Sequence, residues 1–154
     1  MQYFDINGYK FEALKVGMSA TISRTITETD LRNFSGVSGD TNPMHLNQEY
    51  AQRTPFGGCI VHGMLTASLI SAAIGTKLPG PGCIYLNQTL KFTAPVRVND
   101  TVYAVVTVKE LKTEKHIAIL TTQCFVKNVL VIDGEAVIKV PAASEESYKP
   151  MITD

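Results

Sequence analysis

The sequence predicts a single α+β domain in which an antiparallel sheet wraps around one long central helix. Three observations carry that prediction. No Asp, Glu, Lys or Arg occurs between Arg53 and Lys77, and this stretch holds the one long apolar helical segment. Everything after Gly82 reads as alternating strand punctuated by turn residues. At 154 residues the chain suits one domain, with its core over about 18–140, large enough to bury roughly two-thirds of its unfolded surface.

The elements follow in order. Met18–Thr27 (MSATISRTIT) is rich in Thr and Ile and reads as a strand. Thr27 is an N-cap candidate with Asp30 as its capping-box partner, so a short helix is expected over Glu28–Ser38, presenting Leu31, Phe34 and Val37 at helical spacing. Asn47 caps a second short helix, Gln48–Arg53, and Thr54–Gly58 is a turn. The central helix runs over about His62–Lys77, some ~24 Å at the α-helical rise. Its small residues Ala67, Ser68, Ser71, Ala72 and Ala73 fall on more than one face, as a closely wrapping sheet requires, and Leu78–Gly82 (LPGPG) stops it. Strands are then expected at Ile84–Phe92, Thr101–Leu111, His116–Val126 and Leu130–Val140, with turns at Asn99–Asp100 and Lys127–Asn128. Several strands are apolar on both faces, and a dimer partner is one way to cover the second. The tail Ser144–Asp154 has little to bury and is expected to be mobile.

Composition narrows the function classes. The chain is 45% hydrophobic and 18% charged, with 14 basic and 14 acidic residues. It shows no basic stripe or RNA-binding aromatic motif, so nucleic acid is not an expected partner. Pro55, Gly57, Gly58, His62, Thr66, Ser68 and Ser71 make the uncharged stretch a poor bilayer span, so no membrane association is expected. Cys59, Cys83 and Cys124 are odd in number and widely spaced, which suits a reducing compartment and small core positions rather than a disulfide framework. The opening MQYFDINGYKFEALK lacks an apolar signal core, and the expected address is cytoplasmic. No metal is expected: three scattered histidines do not form paired ligand spacing.

The segment FSGVSGDTNPMHLNQEYA, Phe34 to Ala51, carries the chemistry. Asp40 and His45 flank Thr41-Asn42-Pro43-Met44. Pro43 fixes its own φ and biases Asn42 towards extended geometry, so the segment reads as a constrained, irregular loop that aims both side chains at one point. An acid and an imidazole bracketing one water can take a proton from it and deliver one elsewhere, as hydration of an enoyl thioester demands. Charge developing on the thioester oxygen needs preorganised N–H donors. Gly63, in CIVHGML at the start of the central helix, offers such a donor with no side chain in the way. His62 beside it reads as a packed, hydrogen-bonded residue. His116, next to Glu114 and Lys115, reads as a solvated surface residue, and Arg97 is weighed as a phosphate partner against an ordinary surface charge.

These residues resemble the signature of the MaoC-like dehydratases, the group that holds the (R)-specific enoyl-CoA hydratases, including bacterial ones that supply polyhydroxyalkanoate monomers. Phe34, Val37, Ser38, Gly39, Asp40, Asn42, Pro43, His45 and Ala51 fall in the signature's order, with Met44 in place of the usual Leu, Ile or Val. The similarity continues through IVHGMLTASLISAAIG and IYLNQTLKFTAPVRVND, covering roughly Met18 to Val140. It implies a hot-dog fold and a homodimer joined edge to edge. It also implies a catalytic pair at Asp40 and His45, an oxyanion-hole amide at Gly63, and supporting roles for Asn42 and for Ser71 on the helix. The implied reaction is reversible hydration of trans-2-enoyl-CoA to (R)-3-hydroxyacyl-CoA without a cofactor. A hot-dog acyl-CoA thioesterase remains an alternative, since one fold hosts several chemistries. A non-catalytic acyl-CoA-binding domain ranks last, because both the acid and the imidazole are present.

Overall fold

Residues 7–145 are described by a computed structural model, so most of the tail expected to be mobile lies outside the described residues. The elements are β1 (Ser19–Thr25), α1 (Glu28–Ser38), α2 (Pro43–Leu46), α3 (Gln48–Ala51), α4 (Gly63–Thr76), β2 (Ile84–Phe92), β3 (Thr101–Lys112), β4 (Ile117–Val126) and β5 (Val129–Lys139). Short 3₁₀ turns lie at Phe11–Ala13 and Thr113–Lys115. The five strands form one sheet in the order β1-β3-β4-β5-β2, every neighbouring pair antiparallel. This is the α+β architecture of one sheet against one long helix.

Alternation places the core. Val102, Ala104, Val106 and Val108 on β3 are all at most 1% exposed, whereas Tyr103 between them is 44% exposed. The buried face of β3 joins Ala118, Leu120, Cys124, Ile132, Ala136 and Ile138 from β4 and β5 in one cluster with Ala67, Leu69, Ile70, Ala73 and Ile74 of α4. The capping box forms as expected: Thr27 accepts from the Asp30 N–H, and Asp30 accepts from the Thr27 N–H at 2.8 Å. Gly39, with φ 76°, ends α1 in the left-handed region that glycine adopts without steric cost.

Three expectations need correction. Val37 does not face the core; it is 90% exposed while Leu31 is 1% exposed. Six residues rotate a helix by about 600°, which puts Val37 roughly 120° round from Leu31, and Ser35 takes the inward position instead. The segment from Asp40 to His45 is not wholly irregular, because Pro43–Leu46 closes a turn of helix. The sheet packs on the central helix as expected, and one stripe of that helix, Met64, Ser68, Ser71 and Gly75 at helical spacing, stands exposed within the chain. His116 is half-buried rather than free in solvent, in the left-handed region with φ 50°, its ring 5.2 Å from that of Phe11.

Candidate active site

Local sequence chemistry builds the site around the end of α1. Past Gly39 the Asp40 N–H donates to Ser38 Oγ at 3.1 Å, and Asp40 Oδ1 accepts the Asn42 N–H at 3.2 Å. Asn42 is the N-cap of α2, its Oδ1 accepting the Met44 N–H at 3.2 Å, and Pro43 occupies the first helical position. One turn later His45 is carried inward, 9% exposed. Asn42 thus supports the turn, its N–H held by Asp40 and its side chain capping α2.

The His45 imidazole is anchored by one nitrogen. Its Nδ1 lies 2.8 Å from the Ile60 carbonyl oxygen. A carbonyl only accepts, so Nδ1 carries the hydrogen and the ring's chemistry is left to Nε2. The segment supplying that carbonyl is itself held in place: the Ile60 N–H donates to Met44 O at 3.3 Å, and Arg97 Nη1 donates to Gly58 O at 3.1 Å and Cys59 O at 3.3 Å. Arg97 is therefore committed to loop carbonyls, which removes it as a free phosphate partner.

His62 completes the group. It is 1% exposed, with Nε2 at 3.1 Å from both Ser35 Oγ and the Asp40 carbonyl oxygen. The carbonyl again requires the hydrogen on Nε2, which leaves Nδ1 with its lone pair, buried and without a hydrogen-bond partner among the described residues. The ring stacks on His45 with centroids 3.9 Å apart and 30° between planes, and the Phe34 ring lies 5.0 Å from it, tilted by 57°. Asp40, His45 and His62 bring one polar atom each within 4.8 Å of one another. A water bridging two groups spans up to roughly 5.6 Å at hydrogen-bond distances of about 2.8 Å, so this spacing accommodates one. Three such ligands so close, a carboxylate and two imidazoles, could also grip a metal, which the sequence did not lead one to expect. Of the three, however, only Asp40 and His45 line the adjacent cavity.

Burial holds the His62 imidazole below the usual histidine range; the neighbouring His45 pushes the same way, and the Asp40 carbonyl and carboxylate oppose it. The consequence for stability has a definite sign. Below the ordinary value of 6.5 the unfolded chain binds a proton that the folded chain resists, so stability present above that pH declines as pH falls. One proton sets a limiting slope of about 1.4 kcal/mol per pH unit. His62→Gln should flatten that slope in urea unfolding measured at several pH values down from neutrality. Equal slopes in both proteins would mean that folded His62 protonates freely.

The cavity beside the pair has a volume of about 490 Å³. Asp40, His45 and Gly63 line it, and Phe56, Ile60, Met64, Phe92, Val96 and Ile132 form apolar wall. The first turn of α4 faces it. Thr27, Asn42 and Asn47 cap α1, α2 and α3 with side-chain acceptors, but His62, the N-cap of α4, makes no such bond. The opening N–H groups of α4, beginning with Gly63, are left for something else. Phe92 lies across this position: a Cβ on Gly63 would stand 2.7 Å from its ring.

Asp40, His45, Asn42 and Gly63 are thus brought together as expected. Ser71 is not: it is exposed, eight residues or about 12 Å along α4 from Gly63 at the helical rise. Ser35 was missed, and its only trace in the sequence is its place four residues after Leu31 on the inner face of α1.

The MaoC like domain family matches residues 11–129 of this chain. The chain is 53% identical over 138 residues to an (R)-specific enoyl-CoA hydratase of Rhodospirillum rubrum, covering 90% of this chain and 96% of that one. It is 48% identical over 135 residues to a 3-hydroxybutyryl-CoA dehydratase of Methylorubrum extorquens, covering 88% and 86% respectively. Among solved structures, an (R)-hydratase from Aeromonas caviae involved in polyhydroxyalkanoate biosynthesis superposes with a TM-score of 0.82 at 45% identity, covering 84% of this chain and 99% of that one.

Proposed function

The chain belongs to the MaoC-like domain family, and from that premise we propose that it hydrates trans-2-enoyl-CoA to (R)-3-hydroxyacyl-CoA, with Asp40 and His45 exchanging protons with the water. One observation carries the reading: a carboxylate and an imidazole within 4.8 Å of each other line the same largely apolar cavity as the uncapped start of α4.

The chemistry follows from the proton count. Water gives its oxygen to the β-carbon and one proton to the pair, while the pair returns one proton to the α-carbon. The pair therefore needs to hold a single proton overall, one member accepting as the other donates. His45 acts through Nε2, since Nδ1–H is tied to Ile60. Electrons moving out of the double bond collect on the thioester oxygen, where the Gly63 N–H and the positive end of α4 stabilise them. Water and proton come from the same wall, so addition is syn and one face of the alkene is used. Reversal is dehydration by the same groups. The (R) hand is that of the related hydratases of Rhodospirillum rubrum and Aeromonas caviae.

Mixing the protein with crotonyl-CoA tests this. Loss of enoyl thioester absorbance with (R)-3-hydroxybutyryl-CoA as product is the expected result. Release of free CoA instead would move the assignment to a thioesterase. Silence with enoyl-CoAs of every chain length, despite tight acyl-CoA binding, would sink the hydratase reading.

The homodimer is supported by the two edges of the sheet. β1 is polar (SATISRT), whereas the other edge, β2, exposes Ile84 at 58%, Leu86 at 53% and Phe92 at 51%. An apolar unpaired edge is normally covered. Phe92 also walls the cavity, so a second copy on β2 would narrow the site as well. Light scattering should give twice the 16.8 kDa chain mass, and Ile84→Lys with Leu86→Lys should halve it; a dimer that survives both changes would place the interface elsewhere. Among the described residues no helix is long and apolar enough to cross a membrane. The free thiols of Cys59, Cys83 and Cys124 support a reducing, cytoplasmic setting.

A further inference from the structure

The proton exchange just described makes no use of His62, yet His62 touches both groups that perform it. Its Nε2–H reaches the Asp40 carbonyl at 3.1 Å, and its ring face lies against His45 with centroids 3.9 Å apart. Packing alone is a poor reason for an imidazole there. The site is 1% exposed and leaves Nδ1 without a partner among the described residues. A hydrocarbon of similar size would fill the same space with no orphaned nitrogen.

What the ring does for each neighbour is specific. The other hydrogen bonds that hold Asp40, from its N–H to Ser38 and to its Oδ1 from Asn42, come from its own loop. The bond from His62 ties that loop to the start of α4. His45 is anchored at Nδ1 by the Ile60 carbonyl. One hydrogen bond fixes a point on a ring but leaves it free to tilt about that bond, and tilt moves Nε2 directly. A second ring stacked at 30° closes off that freedom. Phe34 and Ser35 on α1 also contact His62, Phe34 with its ring at 5.0 Å and Ser35 through its Oγ at 3.1 Å from Nε2.

We propose that His62 is a positioning residue that couples the proton-handling pair, its Nε2–H fixing the Asp40 main chain and its ring face fixing the plane of the His45 imidazole. The inference rests on the assignment of Asp40 and His45 as that pair. Because both also sit at the mouth of α4, His62 sets the pair in register with the Gly63 N–H, so that proton transfer and charge stabilisation meet the same substrate atoms.

Three substitutions separate the two contacts. His62→Gln keeps an amide N–H near the Nε2 position without the ring face, His62→Phe keeps the face without the donor, and His62→Leu keeps neither. With crotonyl-CoA, His62→Leu should lower kcat about 10²-fold, the cost of misplacing reacting groups by roughly 1 Å, with KM nearly unchanged. His62→Gln and His62→Phe should each recover part of that loss. Thermal melting would be followed alongside, and if the Leu variant does not fold, the Gln and Phe variants decide by the same split of kcat from KM. Wild-type kcat in the folded variants would overturn the proposal. So would equal losses in all three that track melting temperature, which is the mark of a space-filling residue. Asp40→Asn and His45→Asn run in parallel. Should these stay active, the pair itself is misassigned; should they be inactive while the His62 series is flat, only the coupling fails.

Discussion

Asp40→Asn and His45→Asn should each lower kcat by about 10²–10⁴-fold, the range for loss of a positioned proton-transfer group, with KM for crotonyl-CoA changing far less. The structure makes both substitutions clean. Asn at position 40 keeps an oxygen to accept the Asn42 N–H at 3.2 Å, so the turn survives and only the ionisable group is lost. Asn at position 45 places an amide N–H where Nδ1 stood and keeps the anchor to the Ile60 carbonyl, now 2.8 Å from Nδ1. What disappears is Nε2. His45→Gln would do the opposite, keeping polarity near Nε2 while losing the anchor, and it should be no more active. The double variant should fall little further than the worse single one, because groups that handle one water act as a unit and their losses do not add. Steady-state kinetics with melting curves as a fold control check all four proteins. A kcat within a few-fold of wild type for either single variant would remove that residue from the chemistry.

Much of this fold was legible because single-residue signals agreed with one another. Thr27 and Asp30 fixed the start of α1, the Leu78–Gly82 run fixed the end of α4, and the alternation of Val102, Ala104, Val106 and Val108 fixed the inward face of β3. The Asp40-to-His45 segment was legible for a different reason. Asn42, Pro43 and Gly39 have restricted or special backbone preferences, so the chain path between acid and imidazole is set within a few residues.

The parts that could not be read depend on contacts between distant segments. His45 and His62 are far enough apart in sequence to look unrelated, and only the docking of α2 against the start of α4 stacks them. The three histidines therefore read as scattered, and the cluster with Asp40 was invisible. Arg97 read as a surface charge because nothing local shows that the carbonyls of Gly58 and Cys59 turn towards it. Ser71 shows the converse. Helical spacing puts it on the line of Met64, Ser68 and Gly75, and of that line only Met64, at the start of α4, reaches the cavity beside the pair. A residue matched by resemblance is placed by its own helix, and whether it reaches the chemistry depends on what covers that face.

Gly63 offers the sharpest test of the charge-stabilising half of the site, because its N–H can be deleted without breaking the helix. Gly63 is the first residue of α4, the position where proline is best tolerated, and His62 before it has φ −55° and ψ 129°, extended geometry that a following proline accepts. The obstacle is Phe92, whose ring would stand 2.7 Å from any Cβ at position 63. Phe92→Ala removes the obstacle and serves as the reference protein. On that background Gly63→Pro should lower kcat by about 10²–10³-fold, the loss typical of one oxyanion-hole donor. Gly63→Ala on the same background adds nearly the same bulk but retains the N–H, and should keep most of the reference activity. The comparison separates two reasons for a glycine here. If the Pro and Ala proteins fall together, Gly63 is needed for room beneath the substrate carbonyl; if only the Pro protein falls, it is needed for its hydrogen. The uncapped end of α4 favours the second outcome, since a helix start that only had to make room could still have been capped, as α1, α2 and α3 are.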